Sequence, residues 1–91
     1  MASPARRIPK SVHSPELAVF GELMVAARRK AGLTQQKLAK RIGKPQSFVA
    51  KYEGGERRID VIEFIAIVRA IGADPRALVR RSVYQAASRP T

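Results

Sequence analysis

Apolar residues recur with helical spacing in five segments of the chain, and no segment shows the alternation typical of strands. The first segment begins at Ser14, which is followed by a proline and a glutamate. This order favours a helix start, because serine can cap a helix and proline suits its first turn. Gly32 marks its end, since glycine readily closes a helix. The apolar positions between these signals are Leu17, Phe20, Met24, Ala27 and Ala31.

Two short helices are predicted next, each bounded by its own start and stop signals. Thr34 is the expected N-cap of the second helix, which ends at Gly43. A turn at Lys44-Pro45 leads to a third helix over residues 46–53, and Gly54-Gly55 breaks it. The residues expected on the buried sides of these helices are Leu38, Ala39, Ile42, Val49 and Tyr52.

A fourth helix is predicted over residues 61–71, and Asp74-Pro75 opens a short fifth helix. Asp60 and Glu63 have the spacing of a capping box at the start of the fourth helix. The expected core stripe of the fourth helix is Val61, Phe64, Ile65, Val68 and Ile71. We therefore expect an all-α, five-helix domain over residues 14–83, with a flexible basic arm over 1–13 and a flexible tail over 84–91.

The positive charge of the chain is concentrated in its centre. The formal net charge is +11 over 91 residues, and residues 28–58 hold ten basic and two acidic side chains. Because these charges lie inside the predicted folded part, they indicate one electropositive face. Such a face favours a polyanionic partner, with nucleic acid as the first candidate and an anionic membrane or acidic protein as the second.

Other classes of function are not expected from the composition. The chain has no cysteine and one histidine, His13, so neither a disulfide nor a metal site is predicted. We find no nucleophile–base pair and no glycine-rich phosphate loop, so we expect no enzymatic activity and no cofactor. No apolar run reaches the length of a membrane span, and the N-terminus lacks a secretory signal pattern. We expect a cytoplasmic, nucleoid-associated protein.

The segment from Gln35 to Glu53 is typical of a helix-turn-helix. Two short helices cross steeply there, with Ala39 at the close contact and Gly43 in the turn, where a positive φ is often required. The segment resembles the lambda-repressor-like helix-turn-helix family, of the Cro/cI or XRE type. The residues that match in register are Gly32-Leu33-Thr34-Gln35, Leu38-Ala39, Gly43, Gln46-Ser47, Val49, Glu53-x-Gly55 and Ile71-Gly72.

The resemblance implies roles for the side chains around the third helix, which would enter the DNA major groove by its N-terminal end. Gln46 matches the family position that often recognises adenine, to which an amide can both donate and accept. The residues implied in base contact are Gln46, Ser47, Phe48 and Lys51, and those implied in phosphate contact are Thr34, Gln35, Lys44, Arg57 and Arg58. A local cap is the alternative for Ser47, and a phosphate contact is the alternative for Lys51.

The resemblance also implies a structural ion pair between Arg28, at the end of the first helix, and Glu53, at the end of the third. Two residues depart from the family pattern. Pro45 replaces the usual Ser or Thr cap, so a capping hydrogen bond should be missing. Phe48 replaces a small polar residue, and it would either pack on the scaffold or touch a thymine methyl group.

The fourth helix carries more apolar residues than one buried face needs. Packing against the first and fifth helices is one interpretation, and a homodimer surface formed by Ile62, Ile67, Leu78 and Val79 is the other.

The leading hypothesis is a homodimeric repressor that binds a palindromic site in double-stranded DNA. The alternative is an antitoxin or anti-regulator that acts mainly by binding a protein partner; a membrane-surface role is not expected, because the basic residues do not lie opposite one long apolar helix face.

Overall fold

A computed structural model describes residues 14–88, with side chains described for residues 14–85. Within that range the chain forms five helices and no strand: α1 (Pro15–Lys30), α2 (Gln35–Ile42), α3 (Gln46–Glu53), α4 (Val61–Ile71) and α5 (Pro75–Ser88). Helix α1 packs against α3 and α5, while α2 packs against α3 and α4. The predicted all-α, five-helix architecture is confirmed. The arm predicted over residues 1–13 lies outside the described residues.

Local hydrogen bonds explain where the helices begin. Ser14 and Thr34 each accept a hydrogen bond from the backbone N–H three residues later, at 3.1 Å. Asp60 and Glu63 form a complete capping box before α4. Helix α3 starts after Pro45 with no side-chain cap, as the departure from the family pattern predicted. The starts of α1, α2 and α4 are therefore set by side chains, whereas α3 depends more on packing.

The buried side of α4 differs from the predicted stripe. Val61 and Ile65 were expected in the core, but they are 70% and 40% exposed, whereas Ile67, placed off the stripe, is fully buried. The reason is that α4 is apolar on nearly all sides, so its periodicity does not select which side faces the core. Contacts with α2 and the rest of the core make that selection.

Two residues of the predicted dimer surface belong to the core of one chain. Ile67 has no exposed surface and Leu78 is 5% exposed, so neither can lie in a contact with a second copy. Ile62 and Val79, the other two, are 74% and 51% exposed.

Helix α5 continues to Ser88 instead of ending near residue 83, so residues 84–88 are helical and not a tail.

Helices α1 and α3 approach each other closely at Gly21. A Cβ atom at this position would lie 2.7 Å from the backbone oxygen of Glu53, which is closer than real Cβ contacts. Glycine is therefore required at position 21 because there is no room for a side chain, and not because of the backbone conformation. The contact fixes the C-terminal end of α3 against α1.

Candidate nucleic-acid interface

Helices α2 and α3 form a tight two-helix unit around a shared apolar contact. Leu38, Ala39, Val49 and Tyr52 are all nearly or fully buried. The turn between the helices contains Gly43 in the left-handed conformation, with φ of +68°. L-residues with a side chain rarely adopt this conformation, so glycine is what allows the short turn between α2 and α3. This geometry is a helix-turn-helix.

One side of α3 faces solvent and carries polar side chains. Gln46, Ser47 and Lys51 are exposed, and Ala50 is half-buried among them. Consecutive residues of a helix are rotated by about 100°, so these four positions share one face. Three of the four residues expected at base edges therefore lie on one accessible face of α3, with Gln46 and Ser47 in its first turn and Lys51 in its last.

Phe48 does not lie on that face, which corrects its expected place among the base-contacting residues. Its side chain is 9% exposed, and its ring packs edge-on against Tyr52 with centroids 5.7 Å apart. Phe48 follows Ser47 by a further turn of about 100°, which rotates it toward the core. Of the two alternatives for this residue, packing on the scaffold is the one observed.

A chain of hydrogen bonds connects the exposed Gln46 with the interior. Gln46 Nε2 donates to Gln35 Oε1 at 3.3 Å, and Gln35 Nε2 donates to Glu53 Oε1 at 3.0 Å. Glu53 in turn accepts from Arg28, through Nε at 2.7 Å and Nη2 at 3.1 Å. The first turn of α2 thus holds the amide of Gln46 in one orientation.

Arg28 and Glu53 form the buried end of this chain. Their side chains are 8% and 3% exposed, and Arg28 Nη1 also donates to the Leu33 carbonyl oxygen at 2.7 Å. The hydrogen bond to Glu53 raises the pKa of Arg28, so the guanidinium is charged at any ordinary pH. The structure brings together the two residues implied as a structural pair, and it ties α1, α2 and α3 into one unit.

The residues expected at phosphates come from the segments that precede and follow α3. Thr34 and Gln35 lie at the start of α2, Lys44 lies in the turn, and Arg57 and Arg58 follow α3. Thr34, Lys44 and Arg58 are exposed, whereas Gln35 and Arg57 are half-buried. The exposed backbone N–H groups at the start of a helix add a partial positive charge to such a surface.

Two residues of this region were not predicted from the sequence. Ala50 lies in the middle of the exposed face, where its small side chain allows close approach of a ligand; its position one turn after Gln46 would have indicated this. Glu63 was assigned only a capping role, but it also accepts two hydrogen bonds from Arg57, at 3.2 and 3.0 Å. The periodicity of apolar residues does not predict a side-chain contact between a loop and a helix.

The two-helix unit and its basic surroundings define a helix-turn-helix DNA-binding domain. The HTH_3 family, described as helix-turn-helix, matches residues 25–78. The chain belongs to this family, and it is a DNA-binding transcription regulator of the XRE type.

Solved structures show the same relationship. An XRE-family like protein from Pseudomonas syringae pv. tomato is 46% identical, with a TM-score of 0.73 over 84% of this chain and 93% of that one. The restriction-modification controller protein C.AhdI from Aeromonas hydrophila is 30% identical, with a TM-score of 0.65 over 69% and 96%. The clp gene regulator ClgR from Corynebacterium glutamicum, at 17% identity, shares the fold, with a TM-score of 0.73 over 79% and 77%.

A comparison with curated protein sequences gives no match. Among residues 14–88, no helix has the length and apolar character needed to cross a membrane.

Proposed function

We propose that the protein is a sequence-specific repressor that binds a palindromic operator as a homodimer, with α3 in the major groove. The observation that carries the proposal is the exposed Gln46 held by Gln35 at 3.3 Å. The Nε2 group has a second hydrogen, and Oε1 can accept, so the held amide offers both contacts that adenine needs at N7 and N6. Gln46 would recognise adenine, with Ser47 and Lys51 at neighbouring bases or phosphates.

Contacts to phosphates would set the position of α3 on the duplex. Thr34 and Gln35 present the start of α2 to the DNA backbone, and Lys44 and Arg58 lie at the two ends of α3. Contacts of this kind raise the affinity for any sequence and make it depend on salt, while the bases decide the preference. Repression would follow wherever the operator overlaps a promoter.

A homodimer would use the exposed apolar face of α4 and α5. Val61 and Val79 line one cleft of about 400 Å³, whose walls also include Leu17 and Phe20. The large apolar side chains left exposed on these two helices are Val61, Ile62, Ile65, Val79, Val83 and Tyr84. Large apolar side chains exposed on neighbouring parts of a surface, as Val61 and Val79 are at this cleft, favour a protein contact. A symmetric dimer would place two copies of α3 about 34 Å apart, which is one turn of DNA.

The test is selection of binding sites from a random duplex pool, followed by affinity measurements with Gln46→Ala. Loss of the amide–base pair in each half-site should weaken binding to the selected operator by about 1–3 kcal/mol per half-site and leave binding to unrelated DNA unchanged. Gln36→Ala is the matched control, because Gln36 is exposed on α2. Equal effects of the two substitutions, or a pool that yields no shared sequence, would contradict the proposal.

A further inference from the structure

Arg57 lies between the recognition helix α3 and helix α4, and it contacts both. Its guanidinium carbon Cζ is 4.5 Å from the centroid of the Phe48 ring. Its Nη1 and Nη2 donate to the two carboxylate oxygens of Glu63 at 3.2 and 3.0 Å. Nη1 also donates to the Arg58 carbonyl oxygen at 2.7 Å. Helices α3 and α4, together with the adjacent backbone, therefore determine where this side chain lies.

The partner of Arg57 on α4 is itself held in place. Glu63 Oε1 accepts from the Asp60 backbone N–H at 2.9 Å, and Asp60 Oδ1 accepts from the Glu63 backbone N–H at 2.7 Å. The hydrogen bond from Arg57 lowers the pKa of Glu63, so the carboxylate is charged at neutral pH. The guanidinium is consequently paired with a fixed negative charge at the first turn of α4, which reduces its attraction for a phosphate.

The partner of Arg57 on α3 is Phe48, one of the two residues that depart from the family pattern. Phe48 is buried, and it lies directly beside Ser47 and two positions from Gln46. A rotation or tilt of α3 around Phe48 would therefore move both side chains relative to a base pair. Stacking of a guanidinium on an aromatic ring is geometrically specific, and an ammonium group does not reproduce it together with a bidentate carboxylate contact.

We infer that Arg57 is a positioning residue that fixes α3 relative to α4, and that its main role is not the phosphate contact that the family resemblance implied. The inference rests on the proposed function, in which α3 binds bases and α4 forms the dimer contact. In such a dimer the two copies of α3 match only one spacing of the half-sites. The contacts of Arg57 with Phe48 and Glu63 are what restrict the dimer to that one spacing of the half-sites.

The test measures binding of Arg57→Lys to three duplexes: the selected operator, the operator with one base pair inserted between its half-sites, and unrelated DNA. Lysine keeps the charge but loses the stack and the bidentate pair. We expect the preference for the correct spacing to fall roughly 2- to 30-fold, the range typical of residues that couple two sites. The dependence of affinity on salt should not change, because no positive charge is removed. Arg29→Lys is the matched control and should change neither quantity, because Arg29 is exposed on α1, outside the expected DNA contacts.

A second variant, Glu63→Gln, makes the two roles of Arg57 predict opposite results. Glutamine can still serve in a capping box, but it no longer pairs with the guanidinium as an anion. If Arg57 positions α3, the preference for correct spacing falls as it does in Arg57→Lys. If Arg57 binds a phosphate, releasing it from Glu63 strengthens binding to every duplex and leaves the preference intact, and the inference is overturned.

The wild-type measurements separate this inference from the proposed function. A wild type with no preference for its selected operator overturns the proposed function and the inference together. A wild type that prefers the operator, with variants that keep the full spacing preference while circular dichroism shows them folded, overturns the inference alone.

Discussion

Tyr52 and Glu53 are neighbours at the end of α3, but only Glu53 has hydrogen-bond partners for its buried polar atoms. The Glu53 carboxylate accepts hydrogen bonds from both Arg28 and Gln35. The Tyr52 hydroxyl is buried and has no hydrogen-bond partner among the described residues. Removing the Glu53 carboxylate should therefore lower the stability of the fold strongly, whereas removing the Tyr52 hydroxyl should leave the stability unchanged or raise it.

Replacing Glu53 with alanine should destabilise the fold by about 3–5 kcal/mol, because it leaves the buried guanidinium of Arg28 without its counter-charge. Denaturation in urea followed by circular dichroism measures this. Glu56→Ala is the control, since Glu56 is exposed in the following loop and its removal should change stability by less than about 0.5 kcal/mol. If Glu53→Ala is no more destabilising than Glu56→Ala, the ion pair does not hold the recognition helix.

Replacing Tyr52 with phenylalanine should leave stability at neutral pH unchanged or raise it by up to roughly 1–3 kcal/mol, because the hydroxyl is buried without a partner. Burial also raises the pKa of Tyr52 above its ordinary value. Above about pH 10 the unfolded chain can ionise this tyrosine and the folded chain cannot, so wild-type stability falls as pH rises. The Tyr52→Phe variant lacks the ionisable hydroxyl and should lose that part of the fall. A marked loss of stability at neutral pH would show instead that the hydroxyl is hydrogen-bonded.

The contact between α1 and α3 leaves no room for a larger side chain at Gly21. Gly21→Ala improves helix propensity by about 1 kcal/mol in an isolated helix. In this fold the added methyl group meets the Glu53 carbonyl oxygen at 2.7 Å, so we expect a net loss of about 1–3 kcal/mol. Thermal unfolding measures the sign of the change. An increase in melting temperature would mean that α1 and α3 are not in close contact at this position.

The sequence was sufficient to predict the helices that carry their own boundary signals. The limits of α2 and α4 follow from Thr34, Asp60 and the glycines that close these helices, because caps act locally. The orientation of α4 was not predictable in this way, since Ile62, Ile65 and Ile67 are equally apolar and only tertiary packing distinguishes them.

The same distinction applies to the candidate site. The place of Gln46 on an exposed face follows from the family pattern and from helical geometry. The contacts of Arg57 with Phe48 and Glu63 join a loop to two helices, and neither propensity nor periodicity encodes contacts between separate elements. The sequence therefore predicts the surface of the recognition helix better than it predicts what holds that helix in place.

For the whole molecule, the apolar side chains left exposed on α4 and α5 predict self-association. Ile62→Ser should shift the protein from dimer to monomer in sedimentation experiments at micromolar concentration, because it removes an apolar group that is 74% exposed in one chain. Its folding stability should be nearly unchanged. Lys37→Ser, on the exposed side of α2, is the control. A wild type that stays monomeric even on operator DNA would contradict the dimer.

The central claim is recognition of a specific DNA sequence by the exposed face of α3. The most direct measurement is to incubate the purified protein with sheared DNA from its own genome at physiological salt and to sequence the retained fragments. We predict a few sharp peaks that share an inverted repeat, and we predict that Gln46→Ala abolishes them. Diffuse retention that disappears with a modest increase in salt would show binding by charge alone and would contradict the claim.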